Sequence, residues 1–229
     1  MQNFLINGAM RRYSYPAFGN PGVHNERDQM IRKLKTLGVA AFAVLALSAI
    51  GASAAQAANY TASAYPTSFT AETAKGNDTF TTEAGTVECK SHYSGSLSKA
   101  SESITVNASY SNCEAFSGFA SATVNMNGCD YTFYTSGAVD LNCGSKGVVI
   151  TAGTCEAEIG GQTGLKSVTQ KNVGNHITVD AAVKSINYTV LKDGFACPFG
   201  GTGAKTGASY TTHSAATVQS TSGTNIHIG

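Results

Sequence analysis

The sequence predicts an all-β protein: an antiparallel β-sandwich, with a barrel-like arrangement as the alternative, that carries three disulfides and follows a signal-peptide helix. Three observations favour this fold class. Short segments in which apolar and polar residues alternate recur from residue 68 to residue 220, and this period of two is typical of strands. No segment after Ala58 keeps the helical period of about 3.6 residues. All six cysteines follow the leader, and an even number in an exported chain is typical of disulfides.

The first quarter of the chain predicts a targeting region. From Met30 a short basic segment is followed by a 14-residue apolar stretch, Leu37 to Ile50, and by small residues that end at Ala57. This is the pattern of a secretory signal peptide, and the apolar stretch is shorter than the roughly 20 residues that span a bilayer. We therefore expect cleavage near Ala57, with the membrane contacted only through the uncleaved signal peptide. The predicted organisation is residues 1–29, a mis-assigned N-terminal extension; residues 30–57, the signal peptide; and residues 58–229, one secreted, extracellular β-sandwich domain.

The charge of residues 58–229 excludes one class of partner. This region has nine Lys, no Arg and twelve Asp or Glu, which gives a net charge near −3. Proteins that bind nucleic acids use Lys and Arg to replace the counterions of the phosphates. The sequence therefore predicts no nucleic-acid partner, and it lacks a polybasic patch for an anionic membrane.

The predicted strands are short, and Gly, Asn, Ser and Asp separate them. Many short strands with this spacing favour an antiparallel sandwich or barrel. The Gly-rich stretch from Pro198 to Ala208 predicts a flexible loop. The alternating segments are residues 68–74, 86–93, 103–110, 121–126, 147–151, 176–183, 185–190 and 216–220, together with a hairpin at 129–143.

The hairpin predicts one disulfide from its register. A three-residue loop of Thr135, Ser136 and Gly137 would place Cys129 opposite Cys143, with glycine at the left-handed position that such loops favour. The apolar residues and both sulfurs then share one face. Closing this loop contributes about 3 kcal/mol in the chain-entropy model.

The other four cysteines are less constrained. The strands that carry Cys89 and Cys113 match in register only if a bulge lies between Tyr110 and Cys113. Cys155 with Cys197 follows by elimination alone, so the pairing beyond the hairpin stays open at this point. No cysteine pair has the C-x-x-C spacing of a redox or zinc site.

No residue pattern assigns a catalytic, cofactor-binding or metal site, and we expect no cofactor. Glu156 and Glu158 alternate onto one strand face, where two carboxylates can act as acid and base in glycoside cleavage. An exposed acidic face is the simpler interpretation. Tyr134 and Tyr210 are the candidate aromatic platforms for a sugar. The serines form no G-x-S-x-G elbow, and the histidines have no metal-binding spacing: His92, His176, His213 and His227.

Several stretches carry a resemblance: T-V-E-C, Y-S-N-C, M-N-G-C-D-Y-T-F and T-G-A-S-Y-T-T-H-S-A-A-T-V. Through them the chain resembles exported, Cys-containing all-β proteins of high-GC Gram-positive bacteria, over most of residues 58–229. The resemblance implies a secreted β domain and nothing about activity.

Two functions remain open on the sequence. The first is a non-catalytic extracellular module that binds a cell-surface or extracellular component or forms part of the cell envelope. The second is a secreted, glycosidase-like hydrolase that uses Glu156 and Glu158, or a Ser/His pair brought together only by the fold. A pocket that joins these groups would favour the hydrolase, and solvated carboxylates would favour the module.

Overall fold

The computed structural model describes residues 58–212 and 216–229. The described chain consists of strands and the turns between them, with no helix, as the alternating segments predict. None of its described segments is a helix long and apolar enough to cross a membrane. The predicted signal peptide and N-terminal extension lie outside the described residues. The strands are β1 (Tyr60–Ala62), β2 (Thr67–Glu72), β3 (Asp78–Thr81), β4 (Thr86–Leu97), β5 (Ser103–Ala115), β6 (Ala120–Asn125), β7 (Asp130–Tyr134), β8 (Val139–Asn142), β9 (Val148–Ala152), β10 (Cys155–Ile159), β11 (Gln162–Leu165), β12 (Val168–Val173), β13 (His176–Lys192), β14 (Gly203–Thr212), β15 (Ala216–Ser220) and β16 (Ile226–Ile228).

The main sheet closes into a barrel of eight antiparallel strands in the order β5, β6, β9, β10, β13, β14, β3 and β4, where the pairing of β4 with β5 completes the ring. The all-β class is therefore confirmed, and the arrangement is the barrel-like alternative rather than the sandwich that we preferred. The reason is the length of β4, β5 and β13, which have 12, 13 and 17 residues. A long strand pairs with different partners along its length, so its edges connect groups of strands that would otherwise form two separate sheets.

The long strands also divide the interior into two hydrophobic cores. The larger core fills the eight-stranded ring, and its fully buried members include Ala115, Cys155 and Ala157. The smaller core contains Tyr60, Phe69 and Ile177. It lies where β2 pairs with the second half of β4, and where β15 pairs with the first half of β13. Tyr93 belongs to the smaller core and also lines a cavity of the larger one.

The hairpin at 129–143 has the predicted register. Tyr131 faces Leu141 and Phe133 faces Val139, and Gly137 has the left-handed backbone, with φ of +81°. The predicted bulge is also confirmed. The register between β4 and β5 shifts between Glu88 and Lys90, and this shift leaves two residues of β5, Asn112 and Cys113, opposite one residue of β4.

Three disulfides join the strands, as the even cysteine count predicts. The pairs are Cys89–Cys113, Cys129–Cys143 and Cys155–Cys197, with Cα–Cα separations of 4.1, 4.3 and 5.5 Å. Cys89–Cys113 joins the neighbouring strands β4 and β5, and Cys129–Cys143 joins the two ends of the hairpin. The third joins β10 to the loop that leads from β13 to β14. No free cysteine is present in the described chain.

Two sequence interpretations were wrong. The stretch from Pro198 to Ala208 is not wholly a loop, since β14 begins at Gly203 and pairs with β13 on one side and β3 on the other. Pairing with β13 orders residues 203–208, a segment whose composition predicts flexibility, and the pairing with β3 follows at Ser209–Thr212. The segments at 176–183 and 185–190 are also one strand, β13, because Ser185 takes a left-handed φ of +61° and forms a bulge instead of a break.

Candidate binding site

Four tyrosines pack against the core of the barrel, and their hydroxyls meet in two pairs. We call Tyr93, Tyr110, Tyr131 and Tyr210 the tyrosine cluster; they lie on β4, β5, β7 and β14. The hydroxyls of Tyr93 and Tyr210 are 2.7 Å apart, and those of Tyr110 and Tyr131 are 3.0 Å apart. The rings of Tyr93 and Tyr110 meet edge to face, with centroids 6.4 Å apart, an arrangement that suits the quadrupoles of both rings.

A buried carboxylate lies beside the tyrosine cluster. Asp78, the first residue of β3, is 2% exposed. Its Oδ2 accepts hydrogen bonds from Ser91 Oγ, at 2.6 Å, and from Thr73 Oγ1. Its Oδ1 accepts from Tyr210 Oη and from Tyr93 Oη, the latter at 3.2 Å. We call these five residues the Asp78 cluster.

The local fold explains why these side chains converge. Cys89, Ser91 and Tyr93 occupy alternate, inward positions of β4, because successive side chains of a strand point to opposite faces. Asp78 pairs with Cys89 in the sheet, so its side chain also points inward. A serine at an inward position is tolerated because its hydroxyl and its backbone N–H both have partners: Ser91 N donates to Thr73 Oγ1 at 3.1 Å.

The Asp78 cluster holds more polar contacts than hydroxyl protons. Each of its four hydroxyls has one proton, yet six contacts at hydrogen-bond distance join the five residues, counting Thr73 Oγ1 with Ser91 Oγ and Tyr93 Oη with Tyr210 Oη. When all four protons point at the carboxylate, the last two contacts have no proton. The cluster is therefore rich in lone pairs and negative charge.

No cationic side chain of the described residues balances this charge. The ion pairs there join Lys75 to Glu114, Lys90 and His92 to Glu72, and Lys192 to Glu156, and all of them lie elsewhere. Burial keeps the tyrosines neutral. It raises the pKa of Tyr93, an effect to which the nearby Asp78 carboxylate adds, and it also raises the pKa of Tyr110, Tyr131 and Tyr210 well above 10.

Cavities adjoin the two clusters. The first, of about 80 Å³, is walled by the tyrosine cluster and by apolar residues such as Phe80 and Val183. The second, of about 60 Å³, lies on the side of the smaller core and shares Tyr93 and Tyr210 with the first. The third, of about 50 Å³, is lined by Asp78 and shares Phe80, Tyr110, Tyr131 and Tyr210 with the first. A single water needs about 10–15 Å³ of such space, so the first cavity can admit a small molecule.

The structure places the predicted carboxylate pair on the outer face of β10. Glu156 Oε2 lies 2.7 Å from Lys192 Nζ, and Glu158 Oε1 accepts a hydrogen bond from the backbone N–H of Gly147 at 2.6 Å. Each carboxylate therefore has its own structural partner. Both are partly exposed, which agrees with the simpler interpretation of an acidic strand face.

The remaining candidates are dispersed. His92 contacts Glu72, with Nδ1 3.2 Å from Oε1, while His213 lies outside the described residues. Within the described ranges no group of three or more His, Cys, Asp or Glu side chains could hold a metal ion. Tyr134 lies at the surface and donates to Asp140 at 2.9 Å. Tyr210 is not an exposed platform, since its hydroxyl lies in the Asp78 cluster.

Sequence reasoning missed the residue at the centre of the site, Asp78, together with Thr73 and Ser91. One signal was present. Several inward strand positions carry Tyr where Phe would fill the same space, and a buried tyrosine hydroxyl needs a hydrogen-bond partner. An acidic residue at a strand start, T-A-K-G-N-D-T-F, is a candidate for that partner, although nothing local tells which tyrosines reach it.

Comparison of the chain with protein families, with curated proteins and with solved structures gives no match.

Proposed function

We propose that the chain is a non-catalytic extracellular binding module whose ligand site is the tyrosine-lined first cavity. The observation that carries the proposal is the buried carboxylate of Asp78 at an aromatic-walled cavity inside a disulfide-linked barrel. Small-molecule sites are mostly apolar concavities with a few convergent polar groups. The barrel interior has this composition, whereas the outer face of β10 has no concavity among those described.

The compartment is part of the proposal. Three disulfides are typical of extracellular proteins. Together with the leader at residues 30–57 they support secretion and cleavage near Ala57. The resemblance to exported proteins of Gram-positive bacteria agrees with this compartment. Mass spectrometry of protein recovered outside an exporting cell tests it, and an N-terminus that precedes Ala57 by many residues would contradict the proposed cleavage.

The engagement of Glu156 and Glu158 supports binding over hydrolysis. A general acid and a nucleophile or base must both reach the substrate, but Lys192 neutralises one carboxylate and Gly147 N–H binds the other. If the chain were a secreted hydrolase, it would turn over a glycoside, and the Glu158→Gln variant would lose this activity. Turnover with that dependence would overturn the proposal of a non-catalytic module.

Thermal unfolding of the disulfide-bonded protein tests binding directly. A molecule that binds only the folded state raises Tm by mass action, so a panel of small organic molecules, charged and neutral, should contain some that raise Tm. Ala181 lines the first and second cavities and is 9% exposed. The Ala181→Leu variant fills that space and should lose the shift.

The matched control is Ala84→Leu, an exposed position that lines none of the described cavities. It should keep the shift in full. A panel without any active molecule, or a shift that persists in Ala181→Leu, would contradict the proposed binding site.

A further inference from the structure

We propose that the ligand of the tyrosine-lined cavity is a small organic cation, a methylated ammonium group held against the tyrosine rings and attracted by the Asp78 carboxylate. This inference rests on the binding function proposed above and names the chemical class of the ligand. Its three supports are the unbalanced buried charge, the aromatic walls and the apolar remainder of the cavity wall.

The charge is the first support. Burial removes the hydration of a carboxylate, and hydrogen bonds and a nearby cation both offset that cost. The hydroxyls of Thr73, Ser91, Tyr93 and Tyr210 supply hydrogen bonds. No ion pair of the described residues supplies a positive charge to Asp78. A cationic ligand in the adjoining cavity would supply it.

The aromatic walls are the second support. Phe80, Tyr110, Tyr131 and Tyr210 line both the first cavity and the Asp78-lined third cavity. The face of an aromatic ring carries partial negative charge and attracts a cation, most strongly where water is excluded. Several rings around one space are the arrangement by which proteins recognise quaternary ammonium groups.

The hydrogen-bond acceptors decide between kinds of cation. Both oxygens of Asp78 already accept from two hydroxyls each. Apart from the tyrosine hydroxyls and Gln162, the walls of the first cavity are apolar, with Val139, Leu141 and Ile186 among them. A primary ammonium has three N–H donors and would lose hydrogen bonds to water wherever it faces these apolar walls, at a cost. Methyl groups on the nitrogen need no acceptor and pack against the apolar walls.

One stretch of the barrel wall beside the cavity lacks a strand partner on its outer edge. On its outer edge β5 pairs with β7 only at residues 103–106 and with β6 only at residues 114–115. Residues 107–113 therefore have a strand partner on one side only within the described structure. Tyr110 lies in the middle of this stretch, its hydroxyl is 3.0 Å from that of Tyr131, and both residues line the first cavity. A ligand would enter along this unpaired edge.

Isothermal titration calorimetry on the full, disulfide-bonded chain provides the test. The probes are choline and its neutral isostere 3,3-dimethyl-1-butanol, which differ only in the charged nitrogen, with tetramethylammonium as a smaller cation. We expect both cations to bind, and choline to bind at least about tenfold more tightly than the neutral alcohol, because only the cation gains from the rings and the carboxylate.

Two variants locate the effect. Asp78→Asn keeps the size of the side chain but removes its charge. It should weaken the binding of choline at least about tenfold and leave the affinity for the neutral alcohol unchanged. Asp193→Asn is the control. It removes an exposed carboxylate whose Oδ2 lies 3.3 Å from Thr202 N, and it should change neither the affinity for choline nor the affinity for the alcohol. The comparison of choline with its isostere needs no variant, so it decides the question even if Asp78→Asn fails to fold.

The outcomes separate this inference from the proposed function. Equal affinity for choline and the alcohol, or binding of the alcohol alone, would overturn the inference that the ligand is a cation. The proposal of a binding module would stand. Absence of binding by every probe here and by every molecule of the thermal panel would overturn both. Tight choline binding that Asp78→Asn leaves unchanged would also overturn the inference, since the charge would then lie elsewhere.

Discussion

Replacing Asp78 by alanine should destabilise the barrel by about 3 kcal/mol, and the structure shows how this magnitude arises. Four hydroxyls lose their common acceptor. They can partly pair with one another, because Thr73 Oγ1 lies 2.7 Å from Ser91 Oγ and Tyr93 Oη lies 2.7 Å from Tyr210 Oη. Two donors then remain without an acceptor, at about 1–3 kcal/mol each. Relief of the desolvation cost of the carboxylate offsets part of this loss.

The assay is urea unfolding followed by circular dichroism, with the disulfides intact. Asp193→Ala is the control, and its exposed side chain should change the free energy of unfolding by no more than about 0.5 kcal/mol. Asp78→Asn should fall between the two, because the carboxamide oxygen still accepts and its N–H groups can donate to hydroxyl oxygens. An Asp78→Ala protein as stable as the control, or more stable than the parent, would refute the stabilising role of the cluster.

Other predictions concern one disulfide, the pKa of the tyrosine cluster, a glycine in close contact with the backbone and the exposed Phe195. Removing the disulfide with Cys129→Ala and Cys143→Ala should cost about 3 kcal/mol for its 14-residue separation, measured by the same urea assay; an unchanged midpoint would contradict the chain-entropy argument. Burial raises the pKa of the tyrosine cluster, so the contribution of these tyrosines to stability should be fully present below about pH 10, the pKa of tyrosine in the unfolded chain, and should be lost as the pH rises above it. Tyrosinate absorbance that rises fully before unfolding would contradict this. Gly147→Ala should cost about 1–3 kcal/mol, because its Cβ would collide with the backbone oxygen of Ile159. Gly160→Ala, with open space around it, is the control. Phe195, fully exposed on the loop after β13, should be replaceable by Ser with no loss of stability but with weaker binding of a hydrophobic dye.

The strand class and one disulfide could be predicted from the sequence because both depend on local order. Alternation of side chains sets the faces of a strand over a few residues. In the hairpin at 129–143 a turn with Gly137 fixes the register, and the register places Cys129 opposite Cys143. The bulge at Asn112 could be predicted for the same reason, since two alternating patterns of opposite parity had to be reconciled.

The closure of the sheet could not be predicted, because it depends on pairings between strands distant in the chain. β3 pairs with β14, where Phe80 faces Tyr210 across 130 positions of sequence, and no local pattern specifies such a partner. The Gly-rich start of β14 is a further case. Its composition predicts a loop, but its order comes from pairing with β13, a strand that precedes it in the chain.

The binding site was hidden for the same reason. Tyr93, Tyr110, Tyr131 and Tyr210 are each ordinary inward residues of a strand, and Asp78 is one acidic residue among twelve in residues 58–229. Their hydroxyls and carboxylate meet only after the ring has closed. By contrast, Glu156 and Glu158 were visible in the sequence because they are two residues apart, and nearness in sequence placed them on an outer strand face.

The most direct test of a cation site beside Asp78 is a nuclear Overhauser measurement between the N-methyl protons of choline and the tyrosine ring protons of the protein. We expect contacts to the rings of Tyr110, Tyr131 and Tyr210, which line both the first and third cavities, and none to the rings of Tyr65 and Tyr134. Contacts confined to those surface rings would contradict it.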